Sequence, residues 1–111
     1  MKEEIAKSLQ AGERLYGPMT DEITYRMRAG ERLQAARLAL GYKSGKDFAD
    51  ATGVAESALS DWEKGSDWVS PWYVSKLRKL YGIDHNWLYD GSLVELPDSL
   101  FRAIHGLDKG K

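Results

Sequence analysis

The chain has 111 residues, 42% of them hydrophobic, with four Trp, six Tyr and no Cys. That is one domain's worth of chain with enough apolar area for a self-standing core, and the missing Cys excludes disulfide staples, zinc knuckles and thiol catalysis. The formal net charge of −1 gives no bulk support to nucleic-acid binding, so the placement of charges has to decide.

Ile5, Leu9 and Leu15/Tyr16 recur at helical spacing, which predicts a helix over 3–16, stopped by Gly17-Pro18. Thr20 can cap the next helix, with Asp21 and Glu22 suited to its positive end. Ile23, Met27, Gly30, Leu33, Ala36 and Leu40 form an inward stripe, predicting one helix over about 21–40 closed by Gly41. Ser44-Gly45-Lys46-Asp47 has capping-box form and opens a short helix to about 52, with Phe48 and Ala49 inward; Gly53 supplies the turn. A helix over about 56–64 follows, with Val54, Ala58, Leu59 and Trp62 on its buried back. Glu56, Ser57, Ser60, Asp61 and Lys64 are left outside, and Gly65 stops it.

Ser70 as cap and Pro71 at the first helical position start a helix to Tyr81 that buries Tyr73, Val74, Leu77, Leu80 and Tyr81. Asp84 caps a last core turn with Trp87 and Leu88, ended by Gly91, and Pro97-Asp98 opens an amphipathic stretch to His105. No window alternates like a strand for long, so the fold class is all-α. The units read as an accessory helix in 1–19, a core domain in 20–91 and an extension in 92–111.

One partial repeat is visible. Glu4-Ile5 and Ala11-Gly12-Glu13-Arg14-Leu15 recur 18 residues later as Glu22-Ile23 and Ala29-Gly30-Glu31-Arg32-Leu33. Eighteen residues is about five helical turns, so matching positions share a face. The repeat is either a coincidence of two amphipathic helices or a copy that packs on similar surfaces, in its own chain or on a second subunit.

The stretch Gly30 to Leu88 resembles the Cro/repressor-type (XRE-like) helix-turn-helix family. The resemblance is carried by Gly30-Glu31-Arg32-Leu33 with Arg37, by Phe48-Ala49 and Gly53-Val54, by Leu59-Ser60-Asp61-Trp62-Glu63-Lys64-Gly65, and by Leu77, Tyr81-Gly82-Ile83 and Trp87-Leu88-Tyr89-Asp90-Gly91. It implies a five-helix domain, here with an extra N-terminal helix and a short C-terminal one. It also implies a repressor-like transcriptional regulator of bacterial or phage type. Such a regulator reads a pseudo-palindromic operator in double-stranded DNA as a homodimer, with half-sites about one helical turn apart. An Arg37–Glu63 ion pair tying the first core helix to the end of the reading helix is implied as well.

Mapped by position, the resemblance assigns base-edge contacts to Glu56, Ser57, Ser60 and Asp61, with Ala58 nearby and Lys64 at the helix end. Ser44, Gly45 and Lys46 stand where backbone N–H groups and the helix dipole meet a phosphate. The segment departs from the family's habit in its charge: residues 44–65 carry Lys46 and Lys64 against Asp47, Asp50, Glu56, Asp61 and Glu63, a balance of −3. That front weakens phosphate attraction. The basic groups lie instead around the flanking helices, at Arg26, Arg28, Arg32, Arg37 and Lys43 and at Lys76, Arg78 and Lys79, where they flank the groove or solvate their helices. A competing reading uses the acidic face of the helix-turn-helix for protein–protein interaction.

Subunit contact falls to Ile5, Leu9, Trp68, Trp72, Phe101 and Ile104 as apolar residues away from the core stripes. His85 and His105 are isolated and lack metal-ligand spacing. No phosphate loop, nucleophile elbow or H-E-x-x-H occurs, so neither an enzyme nor a cofactor, metal or small-molecule ligand is expected. No apolar run approaches the ~20 residues of a membrane span, and Met1-Lys2-Glu3-Glu4 does not open a signal peptide, so a cytoplasmic, nucleoid-associated protein is expected.

Overall fold

The computed structural model describes residues 21–106, and among these all regular structure is helical. Six helices follow one another: α1 (Glu22–Ala39), α2 (Gly45–Thr52), α3 (Glu56–Lys64), α4 (Pro71–Tyr81), α5 (His85–Asp90) and α6 (Asp98–Ile104). None of them is long and apolar enough to cross a membrane. The helix expected over 3–16, with Ile5 and Leu9, lies outside the described residues.

The helix ends follow local chemistry. Asp21, not Thr20, caps α1: its carboxylate accepts the Thr24 N–H at 3.0 Å, which holds the Asp21 carboxyl below its ordinary range together with the Thr24 hydroxyl. Ser44 caps α2 and Asp84 caps α5 through their side chains. Ser70 makes no side-chain cap bond, because Pro71 at the first position already removes one unsatisfied N–H.

α1 is the organising element, packed most heavily on α3 and also on α5 and α6. Its core face is Ala29, Gly30, Leu33, Ala36 and Arg37. This corrects the expected stripe, since Ile23 and Met27 are exposed. The helix turns its small residues, not its bulky ones, toward α3, because only there can two backbones meet. Leu80 is corrected too: it is exposed, while Tyr81 takes the inward position of the last α4 turn and stacks on Phe48 with ring centroids 6.2 Å apart.

The core gathers Leu33, Phe48, Leu59, Tyr73, Val74, Leu77, Ile83 and Leu88, all fully buried. Leu96 and Leu100 join this same cluster, with Phe101 and Ile104 half-buried against it. The segment after Gly91 therefore covers one side of the core. Burial of each such side chain is worth about 1.5–3 kcal/mol before entropy is set against it.

Candidate nucleic-acid interface

Two short helices and the turn between them make the site. Gly53 closes α2 with φ 73°, a left-handed conformation that a side chain at this position would strain. Val54 then donates its N–H to the Ala49 carbonyl at 3.0 Å and redirects the chain into α3. Ala49 is buried and small, as a steep helix crossing requires.

α2 is pinned from behind by a buried polar knot. The Thr52 hydroxyl donates to the Phe48 carbonyl at 2.7 Å and accepts from the Tyr73 hydroxyl at 2.7 Å. Burial pushes the Tyr73 hydroxyl up to about 12. Lys76 of α4 donates to the Thr52 carbonyl at 3.0 Å, satisfying an end group of α2, and its ammonium lies 4.7 Å from the Trp72 ring centroid.

α3 is held at its back, its end and its flank. Leu59 and Trp62 are buried, and Trp62 packs on Tyr73 at 4.8 Å between centroids. Arg26 donates to the Gly65 carbonyl at 2.7 Å, capping the C-terminal end of the helix. Arg37 meets Glu63 through two hydrogen bonds, Nε to Oε2 at 2.8 Å and Nη2 to Oε1 at 3.2 Å. The two side chains are only 8% and 9% exposed. Nη1 donates to the Tyr42 and Lys43 carbonyls at 2.8 and 2.7 Å, so four of the five guanidinium N–H groups of this buried charge are partnered. α3 thus cannot rotate about its axis without breaking this fork.

What α3 presents outward is Glu56, Ser57, Asp61 and Lys64, all exposed; Ala58 and Ser60 are half-buried at the margin of the same face. At the start of α2, Ser44 and Lys46 are exposed and Gly45 is half-buried. The Ser44 hydroxyl accepts the Asp47 N–H at 3.3 Å, which leaves its own proton free to donate. The Lys46 ammonium sits 3.2 Å from Asp50, whose hydrogen bond holds it above its usual range. Both side chains are exposed, so solvent screens the pair and a phosphate can take the place of Asp50. The structure therefore brings Ser44, Gly45 and Lys46 to a helix N-terminus beside an outward helix face, as two parts of one surface.

Of the apolar residues assigned to subunit contact, Trp72 is 64% exposed. Trp68 is half-buried against Tyr25, with centroids 5.8 Å apart, and Phe101 and Ile104 rest on the core of their own chain.

Sequence reasoning anticipated the Arg37–Glu63 pair but missed the task of Arg26 and Arg32, whose guanidinium groups are engaged with carbonyls of distant segments. Arg32 donates to the Leu88 and Tyr89 carbonyls at the end of α5, at 3.0 and 3.3 Å, as Arg26 does to the end of α3. Helix C-termini carry unsatisfied carbonyls and partial negative charge, so each guanidinium completes a helix end supplied by a distant part of the chain. The Gly65 and Gly91 stops mark those ends in sequence, but their pairing with particular arginines is a tertiary fact.

A family model described as helix-turn-helix matches residues 33–88, just over half of the chain. Neither a curated protein nor a solved structure matches it.

Proposed function

Because the chain belongs to the helix-turn-helix family of the Cro/repressor type, a DNA-binding regulatory family, we propose that it is a sequence-specific, repressor-like transcriptional regulator that inserts α3 into the major groove as a homodimer. One observation carries this reading. The back of α3 is locked by Leu59, Trp62 and the Arg37–Glu63 fork, while Glu56, Ser57, Asp61 and Lys64 stand in solvent. A rigid helix with a free polar front is what base-edge readout requires, since each good bidentate contact is worth about 1–3 kcal/mol of discrimination only if its donor does not move.

In this reading Ser57 and Ser60 donate to or accept from base edges, Glu56 and Asp61 accept from cytosine amino groups, and the Ala58 methyl meets thymine. Ser44, Gly45 and Lys46 hold a backbone phosphate, and Lys64 a second one. A second copy supplies the other half-site, and Trp72, exposed on α4, is the contact residue that the dimer predicts.

The acidic front makes the reading testable. Binding to genomic DNA fragments is measured over a salt series, with protection of a defined site as readout. Affinity that falls steeply with salt at one protected site supports it. Ser57→Ala then relaxes preference at one base position by about 1–3 kcal/mol. Lys46→Ala weakens binding to all sequences alike and lowers the salt slope by about one. No binding at low salt, restored by Glu56→Lys, sinks it in favour of a protein-binding role for the acidic face.

A further inference from the structure

Next to its core face α1 carries a second apolar stripe, Ile23, Met27 and Leu38, which are 59%, 43% and 50% exposed. At about 100° per residue these three lie within roughly 60° of one another around the helix, with Gln34 between them. The stripe is about 22 Å long at 1.5 Å per residue. Three large apolar side chains aligned on one helix face are more than the scattered exposure that any surface shows.

The sequence just before α1 carries a matching segment. Residues 3–16 bear Ile5, Leu9 and Leu15/Tyr16 at helical spacing and are joined to Asp21 through Gly17-Pro18-Met19-Thr20. Four residues are enough to join antiparallel neighbouring helices, and a helix over 3–16 is about 20 Å long. We propose that residues 3–16 fold back as a helix on the Ile23–Met27 part of this stripe, reaching Gln34, in their own chain. In that arrangement Leu15 and Tyr16 meet Ile23, Gly12 lies opposite Met27, and Ile5 lies near Gln34.

The 18-residue repeat supports the fit. In α1 the run Ala29-Gly30-Glu31-Arg32-Leu33 is where another helix comes closest, since a Cβ on Gly30 would sit 2.2 Å from the Trp62 carbonyl oxygen. The run Ala11-Gly12-Glu13-Arg14-Leu15 gives the earlier segment the same small-residue pattern, and the proposed docking sets the bulky Met27 against it. Met27 also packs on Gly65, and Gln34 donates to Glu63 at 3.4 Å. The docked segment therefore borders the C-terminal end of α3 and braces the α1–α3 joint. This inference is independent of whether α3 reads DNA.

The test is amide hydrogen exchange on the full-length chain, with mass by light scattering. Amides of residues 3–16 are expected to exchange at least tenfold slower than an unstructured chain. Leu9→Glu, Met27→Glu and Ile23→Glu should each return them to unstructured rates, with mass unchanged and the Val74 and Leu77 amides of α4 still protected. Ile23→Glu decides the matter if Met27→Glu loosens α1. Unprotected amides in the parent chain overturn the proposal, as does protection that both stripe variants leave intact. Protection that appears only with a doubled mass, both lost in Ile23→Glu, assigns the stripe to a second copy and overturns it equally.

Discussion

Gly30 and Trp62 meet backbone to backbone: a Cβ added to Gly30 would lie 2.2 Å from the Trp62 carbonyl oxygen and 2.9 Å from that of Glu63. This contact sets the distance between α1 and the reading helix. It also explains why α1 turns Ala29, Gly30 and Ala36 inward and leaves Ile23 and Met27 outside. Gly30→Ala gains about 1 kcal/mol of helix propensity but must push two helices apart, a change that costs about 3 kcal/mol in a packed core. Urea unfolding should show a net loss of about 2 kcal/mol with the slope unchanged. An Ala variant as stable as the parent would mean that the approach is not needed.

The Arg37–Glu63 fork should behave as a buried pair, not as a surface one. Glu63→Gln leaves a guanidinium buried without its counter-charge, and a loss of about 3 kcal/mol in urea unfolding is expected. Exchanging the exposed Lys46–Asp50 pair for two alanines should leave the urea midpoint nearly unchanged. Equal effects at both pairs would contradict the burial argument.

Alkaline pH should loosen the α2–α4 contact. The Tyr73 hydroxyl is pushed up to about 12 by burial, whereas an unfolded tyrosine loses its proton near ~10. The unfolded chain then binds fewer protons than the folded one between those values. The stability this group contributes is full below about pH 10 and is lost as pH rises toward about 12. Urea midpoints at pH 8, 10 and 11 should fall, and Tyr73→Phe should make the fall shallower.

α3 starts without a side-chain cap, because Ala55 occupies the cap position in an extended conformation. Ala55→Ser supplies an oxygen for an N–H of the first turn and should raise stability by about 1 kcal/mol. Thermal unfolding should register this as a midpoint several degrees higher. If the midpoint does not move, the N–H groups at the start of α3 are already well served by water.

The boundaries of four helices were legible because their signals are local. The S-x-x-D cap at Ser44, Pro71, the cap at Asp84 and the glycines at 53, 65, 82 and 91 each act within one turn of chain. The outward residues of α3 were legible for the same reason, since Leu59 and Trp62 leave only one face for Glu56, Ser57, Asp61 and Lys64. The face of α1 was legible at Gly30, Leu33 and Ala36, which are buried as expected, but not in its first turns. Hydrophobicity there favours Ile23 and Met27, but packing is decided by how closely two backbones can approach, and only Gly30 allows it.

What the linear chain determines here is therefore where helices begin and stop, and which side of each short helix is apolar, because capping and periodicity involve near neighbours. What only the assembled fold decides is which helix ends Arg26 and Arg32 complete, and that the first turns of α1 leave Ile23 and Met27 outside. Those depend on carbonyls and on an empty Cβ position that come together from opposite ends of the domain.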